Sequence, residues 1–428
     1  MSEVADGPIA FVYDRGAASA GEIGAGLRRT GIPVVTVLGE SEHARSMRPL
    51  VEEFGPVLSL DDGFAAVTEA LRAAGTRGLT TFSERMQEPT ALLAERLGLP
   101  YHSPATVRLL TDKVAQRERL REAGLPQARS HRVDDISRWS EAVARTGLPA
   151  VLKPVRGEGS RNTYLVRDAD SGRESARNLL AGEESALVLE EFLVGRPEHP
   201  FGDYVSVECL VVDGEVGVLA VTGKPALVPP FREAGQFWPS HLPEAEVTAL
   251  GKLAADAVRA LGVRSGITHT EIKLTADGPR LIEVNGRLGG WVGELALRAA
   301  GVNLIEVAGR VALGLPVEVA PLPRFDGVYF QFSVPGPREA CVLERRHGVA
   351  DVRSVPGVGG VVPLVRRGER LSGGVQTERL DIGLGHAPDH AGMLAAVDKA
   401  VGLLSYTFTT DDGRTLRATA AGLRDSHV

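Results

Sequence analysis

Cysteine is almost missing from this chain: two thiols, Cys209 and Cys341, in 428 residues. They have no partner spacing that would suggest a metal site, and two thiols cannot form a disulfide framework for a chain this long, so a reducing cytoplasm is the expected setting. An excess of basic charge is missing too. The formal net charge of -7 gives no electrostatic reason to expect nucleic acid or an anionic membrane as partner, so any anionic ligand must meet a local basic site. Nowhere do about 18 uncharged apolar residues run together, and no basic region or long apolar stretch precedes the first strand-like run, which predicts neither a membrane span nor a signal peptide. There is no internal repeat, heptad array or low-complexity tract. What is present is ordinary: 43% hydrophobic and 24% charged residues. The length exceeds one compact core and suits two or three domains.

From residue 8 to about 102, strand-like runs at 9–13, 33–38 and 78–82 alternate with helical stretches at 20–29, 62–74 and 89–97. That alternation predicts a parallel sheet covered by helices, an α/β arrangement. Gly16, Gly21, Gly24 and Gly26 follow the first strand outside the three-glycine register of a dinucleotide site, so a turn and a closely packed helix is the alternative reading. A helix at 107–123, ended by Gly124, opens a second region. Strands and a helix follow from 148 to 193, then a mixed region to about 316. The tail from 325 is rich in Val and Gly, has short strand-like runs and carries few candidate catalytic groups.

In the segment Ala150-Val151-Leu152-Lys153-Pro154-Val155-Arg156-Gly157-Glu158-Gly159-Ser160-Arg161-Asn162, a lysine ends a strand and a small glycine-containing loop follows. Glycines let backbone N–H groups approach phosphate oxygens, and the ammonium adds a point charge. The lysine precedes the glycines, so this is a phosphate cradle distinct from a Walker loop. Lys113 draws attention because it lies a strand and a helix upstream of Lys153. The run Leu187-Val188-Leu189-Glu190-Glu191-Phe192-Leu193 suits a purine held by main-chain hydrogen bonds under an apolar lid.

The strongest local pattern is His269-Thr270-Glu271-Ile272-Lys273-Leu274, the turn Ala276-Asp277-Gly278-Pro279, then Arg280-Leu281-Ile282-Glu283-Val284-Asn285-Gly286-Arg287. Period-two alternation puts Glu283, Asn285 and Arg287 on one face of a hairpin, and Glu271 reaches it from the partner strand. Two carboxylates and an amide oxygen are hard donors that suit Mg²⁺ and make a poor zinc site. Arg287, one step beyond, has the geometry to hold a carboxylate bidentately or to stabilise a transition state.

Taken together and in this order, Lys113, the Lys153 loop, Glu190-Glu191-Phe192-Leu193 and Glu271/Glu283/Asn285 resemble the ATP-grasp superfamily over roughly residues 8–320. More narrowly, His-Thr-Glu-Ile-Lys and Glu-Val-Asn-Gly-Arg-Leu-Gly-Gly-Trp look like the L-amino acid ligases, the dipeptide-forming branch that includes bacilysin synthetase. The resemblance implies an ATP-grasp fold of α/β and, in part, α+β type. Its parts would be a Rossmann-like parallel-sheet domain (1–105), a small lid subdomain (106–190), a larger antiparallel catalytic subdomain (191–324) and a β-rich extension packed on it (325–428). It implies that Lys113 and Lys153 contact ATP phosphates under the loop carrying Gly157, Gly159, Ser160 and Arg161, and that Glu190 with the backbone of Glu191, Phe192 and Leu193 holds adenosine. Glu271, Glu283 and Asn285 would bind Mg²⁺, with Mn²⁺ as an alternative. Arg287 would hold the phosphorylated carboxyl group, with Lys153 beside it as the other catalytic group.

For the first substrate, the resemblance implies that Glu233 recognises an amino group and that Gly290 and Trp291 shape the side-chain pocket. Gln236 stands where these ligases carry a histidine, so no role depending on imidazole carries over. Tyr204 stands where a ribose-binding acid is expected, which turns attention to Asp203 or Glu208. The expected activity is an ADP-forming carboxylate–amine ligase working through an acyl phosphate, with small-molecule carboxylate and amine substrates. The competing readings are a kinase-like phosphotransferase and a non-catalytic ATP-binding regulatory module; a carboxylase is disfavoured because no biotin-attachment segment is visible. A homodimer is the ordinary prior for oligomeric state.

Overall fold

In the computed structural model, residues 7–182, 184–323 and 326–425 are described. β1 (Ile9–Tyr13), β2 (Val34–Leu38), β3 (Val57–Ser59) and β4 (Gly78–Thr80) form a parallel sheet in the order β3-β2-β1-β4. Every residue of β1 and β2 is buried, as expected for strands covered by helices on both faces. Helix Ala20–Arg28 starts with a capping box between Ser19 and Glu22, which satisfies two otherwise orphaned amides. Gly24 and Gly26 lie in this helix where a Cβ would collide with the Phe54 ring at 2.3 Å and with Ile305 at 2.6 Å. Two of the glycines after β1 therefore serve close packing. Strand β3 and the short helices Glu42–Ser46 and Arg48–Val51 were not anticipated; they are too short to show a period.

The helix expected over 107–123 is two helices, Pro104–Thr111 and Lys113–Glu122. Asp112 leaves helical geometry at φ -107° and ψ 107°, and its carboxylate accepts from the amides of Val114 and Ala115. The break makes Lys113 the first residue of a new helix, where its backbone N–H bonds Val155 O at 3.1 Å. β5 (Ser130–Val133), β6 (Ala150–Pro154), β7 (Tyr164–Val166) and β8 (Leu187–Glu191) form an antiparallel sheet in the order β5-β8-β6-β7. Trp139 anchors its helical cover, buried and donating its indole N–H to Ala169 O at 2.8 Å.

The largest sheet begins with β9 (Phe201–Val212), β10 (Glu215–Pro225), β11 (Gly235–Trp238), β12 (Gly266–Thr275) and β13 (Gly278–Asn285). The tail contributes β14 (Val328–Pro335), β15 (Cys341–His347), β16 (Val358–Pro363), β17 (Arg370–Leu371), β18 (Arg379–Ala387), β19 (Ser405–Thr410) and β20 (Thr415–Thr419). Eight of these strands make one sheet in the order β13-β12-β9-β10-β11-β14-β18-β16, and the remaining four make a sheet β17-β15-β19-β20. The expected boundary at 324 and 325 lies outside the described residues. The tail does more than pack on the preceding sheet, because β14, β18 and β16 extend it edge to edge. Among the described residues, no helix is long and apolar enough to cross a membrane.

Candidate active site

A cavity of about 420 Å³ opens where the β5–β8 sheet faces the large sheet, with the loop after β1 and the tail segment around Thr377 and Arg379 at its rim. That volume lies within the range of small-molecule sites. Lys153, at the end of β6, is 8% exposed and meets Glu190 of β8 at 2.7 Å. Arg117 meets the same carboxylate at 3.0 Å. Burial would push the Glu190 carboxyl up, but Arg117 and Lys153 together hold it at about 2. One carboxylate between two cations leaves local positive charge. Lys113 donates to Gly157 O at 2.8 Å and meets Glu283 at 2.9 Å. Burial would lower its ammonium, and the neighbouring Glu283 raises it instead.

The loop after β6 has left-handed backbone at Gly159 (φ 64°), Ser160 (φ 57°) and Asn162 (φ 51°). Arg161 and Asn162 hold Glu184, Asn162 at 2.7 Å. Ser160 donates to Phe231 O at 2.8 Å, and Gly159 O accepts from Thr377 N at 2.8 Å. The loop is thereby seated against both the large sheet and the tail. At the opposite wall, the Glu191 and Phe192 amides already donate to Arg129 O (2.8 Å) and Pro149 O (3.2 Å). Among the described residues, the Leu193 amide has no such partner. Of the three expected hinge residues, Leu193 is therefore the one whose N–H is free for a ligand.

Glu271 pairs with Glu283 across β12 and β13, and His269 pairs with Asn285, so these side chains share one face. The irregularity in register falls just after Glu271. Arg287 donates to Asn285 Oδ1 at 3.4 Å and forms ion pairs with Glu84 at 3.2 Å and Glu158 at 3.8 Å. Glu84 was not anticipated. Its burial pushes the carboxyl up to about 7 against the pull of Arg287. Among the described residues, no three His, Cys, Asp or Glu side chains cluster as a self-sufficient metal site. Two facing carboxylates and an amide oxygen instead fit a hard cation that completes its shell with water and phosphate oxygens, as Mg²⁺ does.

Glu208 requires a correction. Its side chain is fully buried, accepting from His269 (2.9 Å), Ser206 (3.0 Å) and Thr222 (3.2 Å) within the sheet. It has no exposed face to offer a ribose. What it does is hold His269: burial would lower the imidazole, but Glu208 raises it to about 9. Asp203, the other acid considered, is paired with Lys273 at 2.6 Å.

At the substrate end, Glu233 has both oxygens engaged, one by Lys224 at 3.4 Å and the other by Arg379. Burial would raise its carboxyl, and Lys224 and Arg379 hold it at about 2. Gln236 is buried behind this wall; it accepts from Lys224 at 3.1 Å and donates to Gly290 O (3.0 Å) and Gln331 (2.7 Å). Gly290 lines the cavity, and a Cβ there would meet nothing within 4 Å. Trp291, which follows it at φ 63°, is half-buried and serves through its backbone, which accepts from Gln331 at 3.0 Å. The tail, expected to carry few such groups, supplies Arg379 and Thr377 to the lining. Lys224 was not anticipated, and Tyr204 was marked only as standing where a ribose-binding acid is expected. Their signal was the alternation of two long strands whose cavity face had not been identified.

Residues 146–294 match the ATP-grasp domain model. Those residues make up an ATP-grasp domain. Within it, the likeness runs to the L-amino acid ligase, bacilysin synthetase-like branch. The chain is 28% identical over 234 residues to alanine–anticapsin ligase of Bacillus subtilis (strain 168), a match covering 51% of this chain and 49% of that protein. It thus spans about half the length of that curated relative. The fold is similar to a crystal structure of L-amino acid ligase from Bacillus licheniformis (TM-score 0.74, 22% identity, 93% of this chain and 98% of that one). It is also similar to the biotin carboxylase domain of Hydrogenobacter thermophilus 2-oxoglutarate carboxylase, crystallised with magnesium ADP and bicarbonate (TM-score 0.68, 18% identity, 96% and 92% covered). This ATP-grasp chain therefore shares its architecture with proteins of different named activities.

Proposed function

We propose that this chain is an ATP- and Mg²⁺-dependent carboxylate–amine ligase that releases ADP and joins a small carboxylic acid, amino acids included, to an amine. One observation carries the reading: Glu271, Glu283 and Asn285 share a sheet face that meets Lys113 and Lys153 in a single cavity. The similarity to alanine–anticapsin ligase supports the amide-forming outcome, and the magnesium ADP bound by the carboxylase of the same fold supports the nucleotide and metal.

In this reading Glu271, Glu283 and Asn285 would hold Mg²⁺, or Mn²⁺ in its place, which when bound supplies positive charge to the phosphate oxygens. Lys113 and Lys153 neutralise charge spreading over the transferring phosphoryl group, and the amides of the Gly157–Gly159 loop approach it. Leu193 N–H and the Phe192 ring receive the adenine. Arg287 grips the carboxylate that takes the γ-phosphoryl group as ADP leaves, and the amine then attacks the acyl carbon, losing a proton and expelling phosphate, while the seated loop excludes water. The discriminating assay is amine-dependent ADP release with product mass. AMP and pyrophosphate as products would overturn the reading. ADP release undiminished without amine would point to a phosphotransferase, and nucleotide binding without turnover to a regulatory module.

A further inference from the structure

The two ends of the cavity share one electrostatic arrangement. At the phosphate end a buried carboxylate, Glu190, sits between Lys153 and Arg117; at the other, Glu233 sits between Lys224 and Arg379. Each trio carries one positive charge more than its carboxylate cancels. Around Glu233, Lys273 is matched by Asp203, and His269 lies between Glu208 at 2.9 Å and Glu271 at 3.7 Å; with Glu271 given to the cation in the ligase reading, the excess around Glu233 stands. Uncompensated positive charge in a half-buried site is costly unless an anion answers it.

A second feature points the same way. Tyr204 is 3% exposed and lines this part of the cavity, and its buried hydroxyl has no hydrogen-bond partner among the described residues. Burial raises its pKa, so the hydroxyl keeps its proton as a donor. An orphaned buried donor calls for a ligand acceptor. Arg379 uses only one terminal nitrogen on Glu233, which leaves other guanidinium N–H groups for a second acceptor. Gln236 fixes the distance between this cluster and the activation site, since it bonds both Lys224 and Gly290 O, three residues from Arg287.

Building on the ligase reading, we infer that the carboxylic acid substrate carries a second anionic group, received by Arg379, Lys224 and the Tyr204 hydroxyl while Arg287 holds the carboxylate to be activated. Arg379 is then a specificity residue delivered by the tail. Glu233, with both oxygens engaged by cations, orients them.

The test is calorimetric binding to the full chain with magnesium and a non-hydrolysable ATP analogue, comparing succinate with propionate and L-aspartate with L-alanine. The member of each pair with two carboxylates should bind at least about tenfold more tightly, the scale of one charge-assisted contact. Arg379→Gln should bring each ratio to within about threefold, and Arg379→Lys should recover part of it. Affinity for the nucleotide analogue reports whether the variants are folded. Tyr204→Phe provides a second, milder probe and should reduce the preference several-fold. Equal or tighter binding of propionate and alanine, or a preference that survives Arg379→Gln, overturns the inference. These outcomes are separable from failure of the ligase reading: binding of the two-carboxylate acids without amine-dependent ADP release would remove the ligase, whereas ADP release fastest with the one-carboxylate acids would remove only the second anionic group.

Discussion

Glu271 stands directly opposite Glu283 across the β12–β13 ladder, and the ammonium of Lys113 closes on Glu283 at 2.9 Å. Two facing carboxylates repel one another, and here Lys113 answers Glu283 while His269 stands 3.7 Å from Glu271 at the cavity wall. Glu283→Gln should therefore cut magnesium-dependent ADP formation by at least about a hundredfold, the scale of losing one charge-stabilising group. Its unfolding temperature should fall somewhat, because the glutamine keeps the shape and still accepts from Lys113 but no longer answers its charge; binding of the ATP analogue shows that the variant is folded. Turnover within threefold of wild type would remove Glu283 from the metal set.

Asp112 controls where Lys113 begins. Asp112→Ala removes the acceptor for the Val114 and Ala115 amides and should destabilise the chain by about 1 kcal/mol. The KM for ATP should rise at the same time, since an uncapped helix start no longer fixes the lysine. Denaturant unfolding together with ATP saturation curves checks both, and a loss of stability with unchanged KM would confine Asp112 to capping.

Glu190 makes stability depend on acid. Its carboxyl is held at about 2 against an ordinary 4.5, so the stabilisation is fully present above about pH 4.5 and is lost as pH falls toward 2. That depression is worth on the order of 3 kcal/mol at most. Glu190→Gln should be less stable at neutral pH, with Arg117 and Lys153 left uncompensated, and should show a flatter loss of stability between pH 4.5 and 2. Parallel slopes for the two proteins would contradict the assignment.

Gly290 faces open cavity, and its backbone is one that any residue adopts. Gly290→Val should fold normally yet raise the KM for the carboxylic acid at least about tenfold while leaving that for ATP within twofold. Trp291→Ala should change substrate choice less, because that residue meets the site through its backbone, its N–H donating to Ala17 O and its carbonyl accepting from Gln331. Steady-state kinetics over a panel of acids distinguishes the two positions.

The parts of this site that could be read in the sequence are those that depend on short-range periodicity. The turn at Ala276-Asp277-Gly278-Pro279 and alternation along one strand were enough to put Glu283 and Asn285 on one face, and a strand end followed by glycines was enough to mark Lys153; Glu271 faces Glu283 only because the register slips by one residue just after it, which strict alternation does not announce. The remainder depends on long-range partners. Arg379 reaches Glu233 across 146 residues, and no local pattern announces such a meeting. Glu208 illustrates the converse: an acid on a strand reads as available until the neighbouring strand brings His269 to it and closes the surface. The helix break at Asp112 was visible in principle, since aspartate caps helices well, but the apolar spacing on either side is continuous enough to read as one rod.

The continuous sheet from β13 to β16 separates two tasks along one scaffold. The hairpin carrying Glu271, Glu283 and Asn285 occupies one border, while Arg379 enters from β18, five strands beyond β12 in the ladder order β12-β9-β10-β11-β14-β18. On the proposed ligase reading, substitutions near that far border would change which acid is admitted without disturbing the groups assigned to phosphoryl transfer. Descendants of such a chain can diversify their products by altering the tail alone.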